Sequence, residues 1–573
     1  MQKRWLIKDP ADRTTIIQLS STVKVDPIIA ELLAQRGIST YEEAQAFFRP
    51  TLEELHDPFL MKDMDTAVKA LDQAIEKKEN IMLYGDYDVD GTTSVAMMYT
   101  FLNEIANVSY YIPDRYKEGY GVSEQGIDFA IEQGVELLIT LDCGIKAVDK
   151  IDRARKAGIT VIVCDHHTPG EQLPNAIVLD PKRSDCEYPY KELSGCGVGF
   201  KLLQGLVQKR GYDHYKLFEL LDFLAISIGA DIVDVTGENR ILAFYGLKQL
   251  NENPRLAFDI LVKTAKRSFP LTLTHVVFTI APRINAAGRL ESADLAVDLM
   301  ISKDKEVIQN LANEIEEHNT NRKELDQSIT DEAVVQMQSR DGWEELNTTV
   351  VHHADWHKGV VGIVASRLIE QQYRPTIVFS GNDELTGSAR SIPGLDIYGA
   401  LLECEDLLLR FGGHKYAAGL SLEEKNLSAF KERFEEVVAK RLKIQDRTEL
   451  VSIDAELSFD QLFRSDENRL KLPRLKRIID QFEPFGPGNM KPTFLSRNVY
   501  SVDMRVLKEK HLKLTLNQPP HDLNIDGIGF NLGERADEAA SGLPFDLVYT
   551  LESNTWNGRT TLQLNIKDLR SSV

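Results

Sequence analysis

Residues 79–91 read ENIMLYGDYDVDG: a short apolar run, then aspartates at every second position, Asp86, Asp88 and Asp90. The apolar run fits a buried strand, and residues two apart in extended backbone point the same way, which lets the three carboxylates converge. The pattern returns twice. VELLITLDCGI (135–145) carries its apolar run into Asp142, and ITVIVCDHHTPG (159–170) carries one into Asp165, His166 and His167. Each cluster lies where an open α/β sheet places its ligand-binding loops, beyond the carboxyl end of a strand. Oxygen ligands with one or two imidazoles suit Mn²⁺ or Mg²⁺ better than a thiolate-preferring metal. A pair of such ions is the usual apparatus for cleaving phosphodiesters.

Taken singly, each cluster has a plainer reading. D-x-D-x-D-G opens a calcium loop, but such a loop needs a glutamate late in it, and apolar VAMM (95–98) follows here. Asp142 alone reads as a helix N-cap, and His166 with His167 as an ordinary loop pair. Three strand-end clusters in succession outweigh these readings.

Working outward, ENIMLYG, VSYYIP, VELLITLD, TVIVCD and NAIVLDP alternate with helical stretches, which predicts a mostly parallel sheet covered on both faces. Residues 1–75 read as a helical, connective segment and 76–302 as the first α/β domain. Residues 196–250 are mainly helical, with Asp231 near a helix end as a further metal ligand or a plain helix-end carboxylate. The polar, periodic stretch 303–340 predicts one long exposed helix within a linker over 303–342. A second α/β domain follows over 343–446, and the short alternating strands of 447–573 suit a small β-barrel such as an OB-fold.

At 573 residues the chain is too long for one core. No apolar run approaches bilayer length, and the N-terminus MQKRWLIKDPADRTT lacks a signal peptide's apolar core. Five scattered cysteines without a C-x-x-C pair predict reduced thiols in a cytosolic protein. The net charge of −21 argues weakly against a nucleic-acid partner, yet Arg464–Lys513 carries 12 Lys/Arg against 6 Asp/Glu. That local excess reads equally as a solvated surface or as a nucleic-acid contact.

YGDYDVDGTTS, TLDCG, the Asp165-His166-His167 triplet, SGCGVGFK, GADIVD, APRINAAGRL, GSARS and GGHKYAAG appear in an order that resembles the DHH phosphoesterase superfamily. The first motif with the triplet specifies only that superfamily. APRINAAGRL with the GGH region and the β-rich end narrows the resemblance to the RecJ single-stranded-DNA exonucleases, over roughly 75–430 plus an OB-fold. A slight departure is SGCGVG, where alanine is common in the middle.

The resemblance implies a two-ion Mn²⁺ or Mg²⁺ site formed by Asp86, Asp88, Asp90, Asp142, His166 and Asp231, with Asp165 orienting the imidazoles or ligating. Asp88, Asp90, Asp142, His166 and His167 form the implied catalytic set, His167 facing the scissile phosphate. The DNA-binding set is Arg283, Asn285, Arg289, Ser388, Arg390, His414 and His357, with Gly412 and Gly413 letting backbone approach. For Arg283 and Arg289 a structural salt bridge stays open, and for the glycines a plain turn. Tyr116 and Tyr120 in DRYKEGYG are base-stacking candidates, with core packing or plain surface equally open. The implied activity is 5′-to-3′ degradation of single-stranded DNA to mononucleotides in DNA repair and recombination, the strand clamped between the two α/β domains. The implied protein is a cytoplasmic monomer without a membrane, partnered by a RecQ-type helicase and single-strand binding protein. The rivals are a phosphodiesterase for oligoribonucleotides or cyclic dinucleotides, and a non-catalytic DNA-binding scaffold.

Overall fold

The computed structural model describes residues 3–290, 292–463, 472–520, 523–556 and 558–572. The chain divides into two compact units: Ile7–Glu316 with Ser452–Val573, and Met1–Leu6 with Glu317–Val451. No helix among the described residues is long and apolar enough to cross a membrane.

In the first unit, β1 (Asn80–Gly85), β2 (Asn107–Tyr111), β3 (Leu137–Leu141), β4 (Thr160–Cys164) and β5 (Ile177–Leu179) form a wholly parallel sheet in the order β2-β1-β3-β4-β5. Its faces are both buried, which is why the strands read as unbroken apolar runs. One face packs Leu83, Ile139 and Ile162 against α1 (Val89–Leu102) and α2 (Gly195–Arg210). The other packs Met82, Leu138 and Val163 against Ile127 and Ile151. A third helix, α3 (Leu221–Asp231), also packs on α1. After β1 the chain crosses to one side to make β2, then to the other to make β3. The sheet's direction of winding therefore reverses between β1 and β3, and open α/β sheets bind ligands in the crevice at that point. Asp86 and Asp142 follow the two strands that flank it. Later in this unit α4 (Ala281–Leu290) precedes α5 (Lys305–Gln338), the expected long helix, which begins in the first unit and ends in the second.

The second unit holds a mixed sheet of β6 (Thr349–His353), β7 (Thr376–Ser380), β8 (Glu384–Arg390), β9 (Arg410–His414) and β10 (Ala417–Glu423), ordered β9-β10-β8-β7-β6. Only β6 and β7 are parallel, joined through α6 (Val361–Gln371).

The C-terminal barrel is the expected OB-like sheet. Strand Thr493–Leu507 pairs with His511–Asn517 on one side and with Phe545–Trp556 on the other, which closes it. Part of the basic stretch, residues 464–471, lies outside the described residues. Much of the remainder is neutralised locally: Lys476 pairs with Asp480, Lys491 with Glu552, Arg497 with Glu456 and Asp546, and Arg505 with Asp503.

The first 48 residues do more than connect. Helices Arg13–Val23, Pro27–Ala34 and Tyr41–Phe48 start on side-chain caps from Asp12, Asp26 and Thr40. Their apolar faces (Leu19, Ile29, Leu33, Ala44) share one core with Phe482, Phe494 and Tyr549 of the barrel region. A three-helix segment this short cannot bury an apolar face alone, so it takes the barrel as its partner. Phe482 is fully buried, with the rings of Phe47 and Phe48 edge-on at 5.1 and 5.5 Å. Phe482→Ala is expected to destabilise the barrel and the N-terminal helices together by about 3–5 kcal/mol, read by urea unfolding with hydrogen exchange on both segments. Exchange that rises in the barrel alone contradicts the shared core.

Candidate metal centre

The three aspartates of DYDVD do not alternate along one strand, as their spacing predicts. The strand ends at Gly85, Asp88 is the N-cap of α1, and Asp90 lies in that helix's first turn. They converge because a tight strand-to-helix turn folds them round the sheet edge. Asp88 Oδ1 accepts the Gly91 N–H at 3.0 Å, and Asp86 Oδ1 accepts that of Gly121 at 3.3 Å. Asp90 is gripped by the start of α2: Oδ2 accepts Gly195 N–H at 2.6 Å and Oδ1 accepts Cys196 N–H at 2.9 Å. A helix N-terminus is a natural seat for a carboxylate. Asp142 leaves β3 with φ 61°, a left-handed turn that aspartate tolerates better than most residues. Packing is tight enough that a Cβ on Gly195 would sit 2.6 Å from Asp142 Cβ, and one on Gly91 would sit 2.3 Å from the Asp86 carbonyl oxygen.

His166 is the hub. Its Nε2 lies 3.2 Å from Asp142 Oδ1, 3.5 Å from Asp231 Oδ2 and 3.9 Å from Asp90 Oδ2. Asp86, Asp90, Asp142 and His166 are all buried. Asp86 Oδ2, Asp142 Oδ1 and both ring nitrogens of His166 are buried without a hydrogen-bond partner. Burial, then the neighbouring Asp88 charge, pushes Asp86 up to about 8. Burial and the neighbouring aspartates raise Asp88, and lift Asp142 and Asp231 well above the ordinary carboxylate range. Two like charges 4 Å apart repel by about 4 kcal/mol at a protein-like dielectric. Orphaned oxygens and imidazole nitrogens around such repulsion are the donor set of a hard divalent cation. Asp90, His166 and Asp231 fit one ion, and Asp142, His166 and His167 form a second such group.

Asp165 belongs to the support and holds His167 in place. Asp165 Oδ1 accepts from His166 N (2.8 Å), His167 N (3.1 Å) and His167 Nδ1 (2.8 Å), while Oδ2 accepts from Ile145 N at 2.9 Å. Burial works to raise this carboxyl, but the His167 hydrogen bond and charge prevail and hold it at about 2. Of the two roles open to Asp165, this geometry serves the orienting one. The Nε2 of His167 meets the Tyr120 hydroxyl at 2.9 Å, so both ring nitrogens are engaged. Burial alone would lower His167; the Asp165 hydrogen bond overrides it and lifts the imidazole to about 9.

Other residues expected at the substrate divide. Arg283 is buried, forks onto Glu316 at 2.5 and 3.0 Å, and gives Nη1 to the Thr279 carbonyl at 2.6 Å. That is the salt-bridge alternative for Arg283. Asn285 and Arg289, four apart on α4, share a face and are half-buried. Gly288 beside them lies on the Tyr87 carbonyl, where a Cβ would be 2.9 Å away, so α4 abuts the DYD turn. The Tyr116 hydroxyl donates to the Arg289 carbonyl at 2.5 Å, a structural role, and Tyr120 binds His167 rather than standing as a free platform.

In the second unit, register collects the rest. Ser388, Gly419 and Gly412 form one cross-strand row, and Arg390, Ala417 and His414 the next, all on one sheet face. A Cβ on Gly412 or Gly419 would meet nothing within 4 Å, which leaves an open glycine floor. Gly413 has φ 152° and no room for a side chain, since a Cβ would sit 2.4 Å from the Ala417 carbonyl oxygen. Arg390 Nη1 donates to Ser388 Oγ at 2.9 Å, and both side chains press on Gly362 in the first turn of α6. His357 lies in the turn before α6, its Nδ1 accepting Gly359 N–H at 3.1 Å.

Two contributors escaped the sequence reading. Asp180, fully buried after β5, is held by burial near 7 and accepts Lys182 N–H at 2.7 Å. Its signal was present, an acid closing the apolar run of NAIVLDP. The grip of SGCG on Asp90 carried no comparable signal.

Gly195→Ala is expected to displace Asp142 and weaken Mn²⁺ binding about tenfold or more, read by calorimetry. Affinity within about twofold of the parent removes the packing argument. Carboxyls raised above their ordinary range keep protons that a cation must expel. Mn²⁺ affinity should therefore rise with pH up to the region of Asp86, about 8, and fall below it. A flat affinity between about pH 6 and pH 8 contradicts this.

Residues 80–228 match the DHH family, N-terminal domain, residues 345–440 the DHHA1 domain, and residues 453–568 the RecJ OB domain. The single-stranded-DNA-specific exonuclease RecJ of Bacillus subtilis is 37% identical over 573 residues, covering 99% of this chain and 70% of that protein. The protein of the same name from Salmonella typhimurium is 32% identical over 590 residues, 99% of each chain. RecJ in complex with Mn²⁺ from Thermus thermophilus superposes with a TM-score of 0.84 at 28% identity, over 100% of this chain and 80% of that one. The same protein in complex with Mg²⁺ gives 0.79 at 27% identity, over 100% and 79%. With a donor set for hard divalent cations at its sheet edge and these relatives along its whole length, this chain belongs to the RecJ family of single-stranded-DNA-specific exonucleases.

Proposed function

We infer that this chain is a metal-dependent exonuclease that removes nucleotides from the 5′ end of single-stranded DNA. The observation that carries the reading is the strand-end cluster around His166, with its orphaned acceptors, in a chain that matches RecJ over 99% of its residues. Asp86, Asp88, Asp90, Asp142, His166 and Asp231 would hold two Mn²⁺ or Mg²⁺ ions. Such ions supply an activated water and neutralise charge at the phosphorus. The protein's part is to keep six donors in place against their repulsion, through Gly91, Gly121 and the α2 start. Asp165 fixes the His167 ring through Nδ1, and a scissile phosphate would take the place of the Tyr120 hydroxyl at Nε2. The glycine-floored face carrying Ser388, Arg390 and His414 lets a strand's backbone lie close, and Arg390 with Ser388 suits a terminal phosphate. Arg283, committed to Glu316, drops out of that end pocket.

The RecJ OB domain at 453–568 weighs against a phosphodiesterase for short oligoribonucleotides or cyclic dinucleotides, which normally ends without one. The presence of every expected acid and histidine weighs against a non-catalytic scaffold. On the same reading the enzyme works in the cytoplasm as a monomer in DNA repair and recombination, supplied by a RecQ-type helicase and single-strand binding protein. The five cysteines, all buried free thiols, suit that compartment.

Digestion of 5′- and 3′-labelled single strands with Mn²⁺, Mg²⁺ or chelator tests activity, polarity and metal dependence together. Release of the 5′ label first, only with metal, is expected; 3′ release reverses the polarity. Asp88→Ala or His166→Ala should abolish cleavage with the fold retained, and turnover within about tenfold of the parent would sink the assignment. Arg390→Ala should weaken 5′-phosphorylated substrates by about 1.5–3 kcal/mol and 5′-hydroxyl ones far less. Equal losses on the two would make Arg390 a backbone contact.

A further inference from the structure

Ser227 lies on α3, four residues before Asp231, so the two side chains share one face of that helix. Its Oγ is 2.7 Å from Asp90 Oδ1 and 2.6 Å from Ser194 Oγ. Ser194 is the N-cap of α2, and its Oγ accepts the Gly197 N–H at 3.1 Å. Ser194 and Ser227 are fully buried and Asp90 is 1% exposed, so water does not complete these bonds. Each serine hydroxyl has a single proton to give. An ionised Asp90 only accepts, and it already takes Gly195 N–H and Cys196 N–H. Ser227 Oγ is thus the donor placed between Asp90 Oδ1 and Ser194 Oγ, and a carboxylate at Asp90 is the stronger acceptor of its one proton.

We propose that Ser227 is a positioning residue for the metal centre, the member of this chain of buried hydroxyls that donates to Asp90. The proposal rests on the metal-site reading above. Cys196 N–H and Ser227 O–H occupy Oδ1 of Asp90 from the α2 and α3 sides. Oδ2 takes only Gly195 N–H, and it is the oxygen that faces His166 Nε2 at 3.9 Å. The chain therefore fixes which oxygen Asp90 offers to a cation, and it ties α3, which carries Asp231, to the same carboxylate. Without the Ser227 hydroxyl, Asp90 loses one of the three bonds that restrain its rotation, the one that comes from α3. Ser194 Oγ, the cap of α2, would also lose its buried contact with Ser227.

The test uses the full chain stripped of metal, with Mn²⁺ alone as the probe, and reads affinity by calorimetry and the spectrum of bound Mn²⁺ by electron paramagnetic resonance. Ser227→Ala is expected to weaken Mn²⁺ binding about tenfold, the usual cost of losing a group that orients a ligand. The circular dichroism spectrum and metal-free binding of single-stranded DNA should not change. Ser227→Cys, which keeps the volume but donates weakly, should lose affinity as well, and it decides the matter if the alanine variant does not fold. In an Asp90→Ala background, Ser227→Ala should cost nothing further, because the hydroxyl then has no carboxylate to hold. Affinity within about twofold of the parent for the folded variants, or an undiminished penalty in the Asp90→Ala background, overturns the proposal. A parent chain that fails to bind Mn²⁺ overturns the metal-site reading itself, and this proposal with it.

Discussion

Five aspartates crowd around one imidazole at the edge of a parallel sheet, and their mutual repulsion is the constraint that the surrounding structure answers. Asp90, Asp142 and Asp231 all approach His166 Nε2 to within 4 Å, and Asp86 and Asp88 press from the same turn. A cluster of this kind is unfavourable in a buried site unless cations or protons offset it. Nearby elements supply fixed dipoles as partial compensation. The start of α2 grips Asp90, the amides of Gly91 and Gly121 hold Asp88 and Asp86, and three backbone N–H groups with one imidazole hold Asp165. What those dipoles leave unsatisfied has the chemistry of a donor set for a hard divalent cation.

The sheet's winding puts that cluster where it is. The reversal between β1 and β3 opens a crevice, and the loops after β1, β3 and β4 empty into it. Glycine at 91 and 195 is required because backbone and carboxylate approach closer than a Cβ permits. The second unit solves a related problem by other means. Its β8-β9-β10 face turns Ser388, Arg390 and His414 outward over two glycines, while Ala389, Ala418 and Leu420 face the core. A polar row over bare backbone is suited to a polyanion's phosphates, and an apolar underside keeps it flat and fixed.

The barrel does more for the fold than its position at the chain's end suggests. It shares a core with the first three helices, so sequence-distant segments stabilise each other. Many of its basic residues are paired with acids of the same unit, which lowers the charge left for a nucleic-acid partner.

The chemistry was legible in the sequence because strand-end placement and ligand type are local properties. DYDVDG, TLDCG and the DHH triplet each follow an apolar run, and parallel order alone brings their acids to one sheet edge. The long helix over Lys305–Gln338 and the barrel's alternating strands were legible for the same reason, since periodicity is written residue by residue. Only the tertiary structure decided what each side chain spends its hydrogen bonds on. Arg283 goes to Glu316, Tyr116 to the Arg289 carbonyl, Tyr120 to His167, and Ser194 with Ser227 to Asp90. Each of those partners lies 33 to 173 residues away in the chain, a span over which spacing carries no signal. Residue type and local pattern determine which groups can do the chemistry; the packing of distant segments determines which of them remain free to do it.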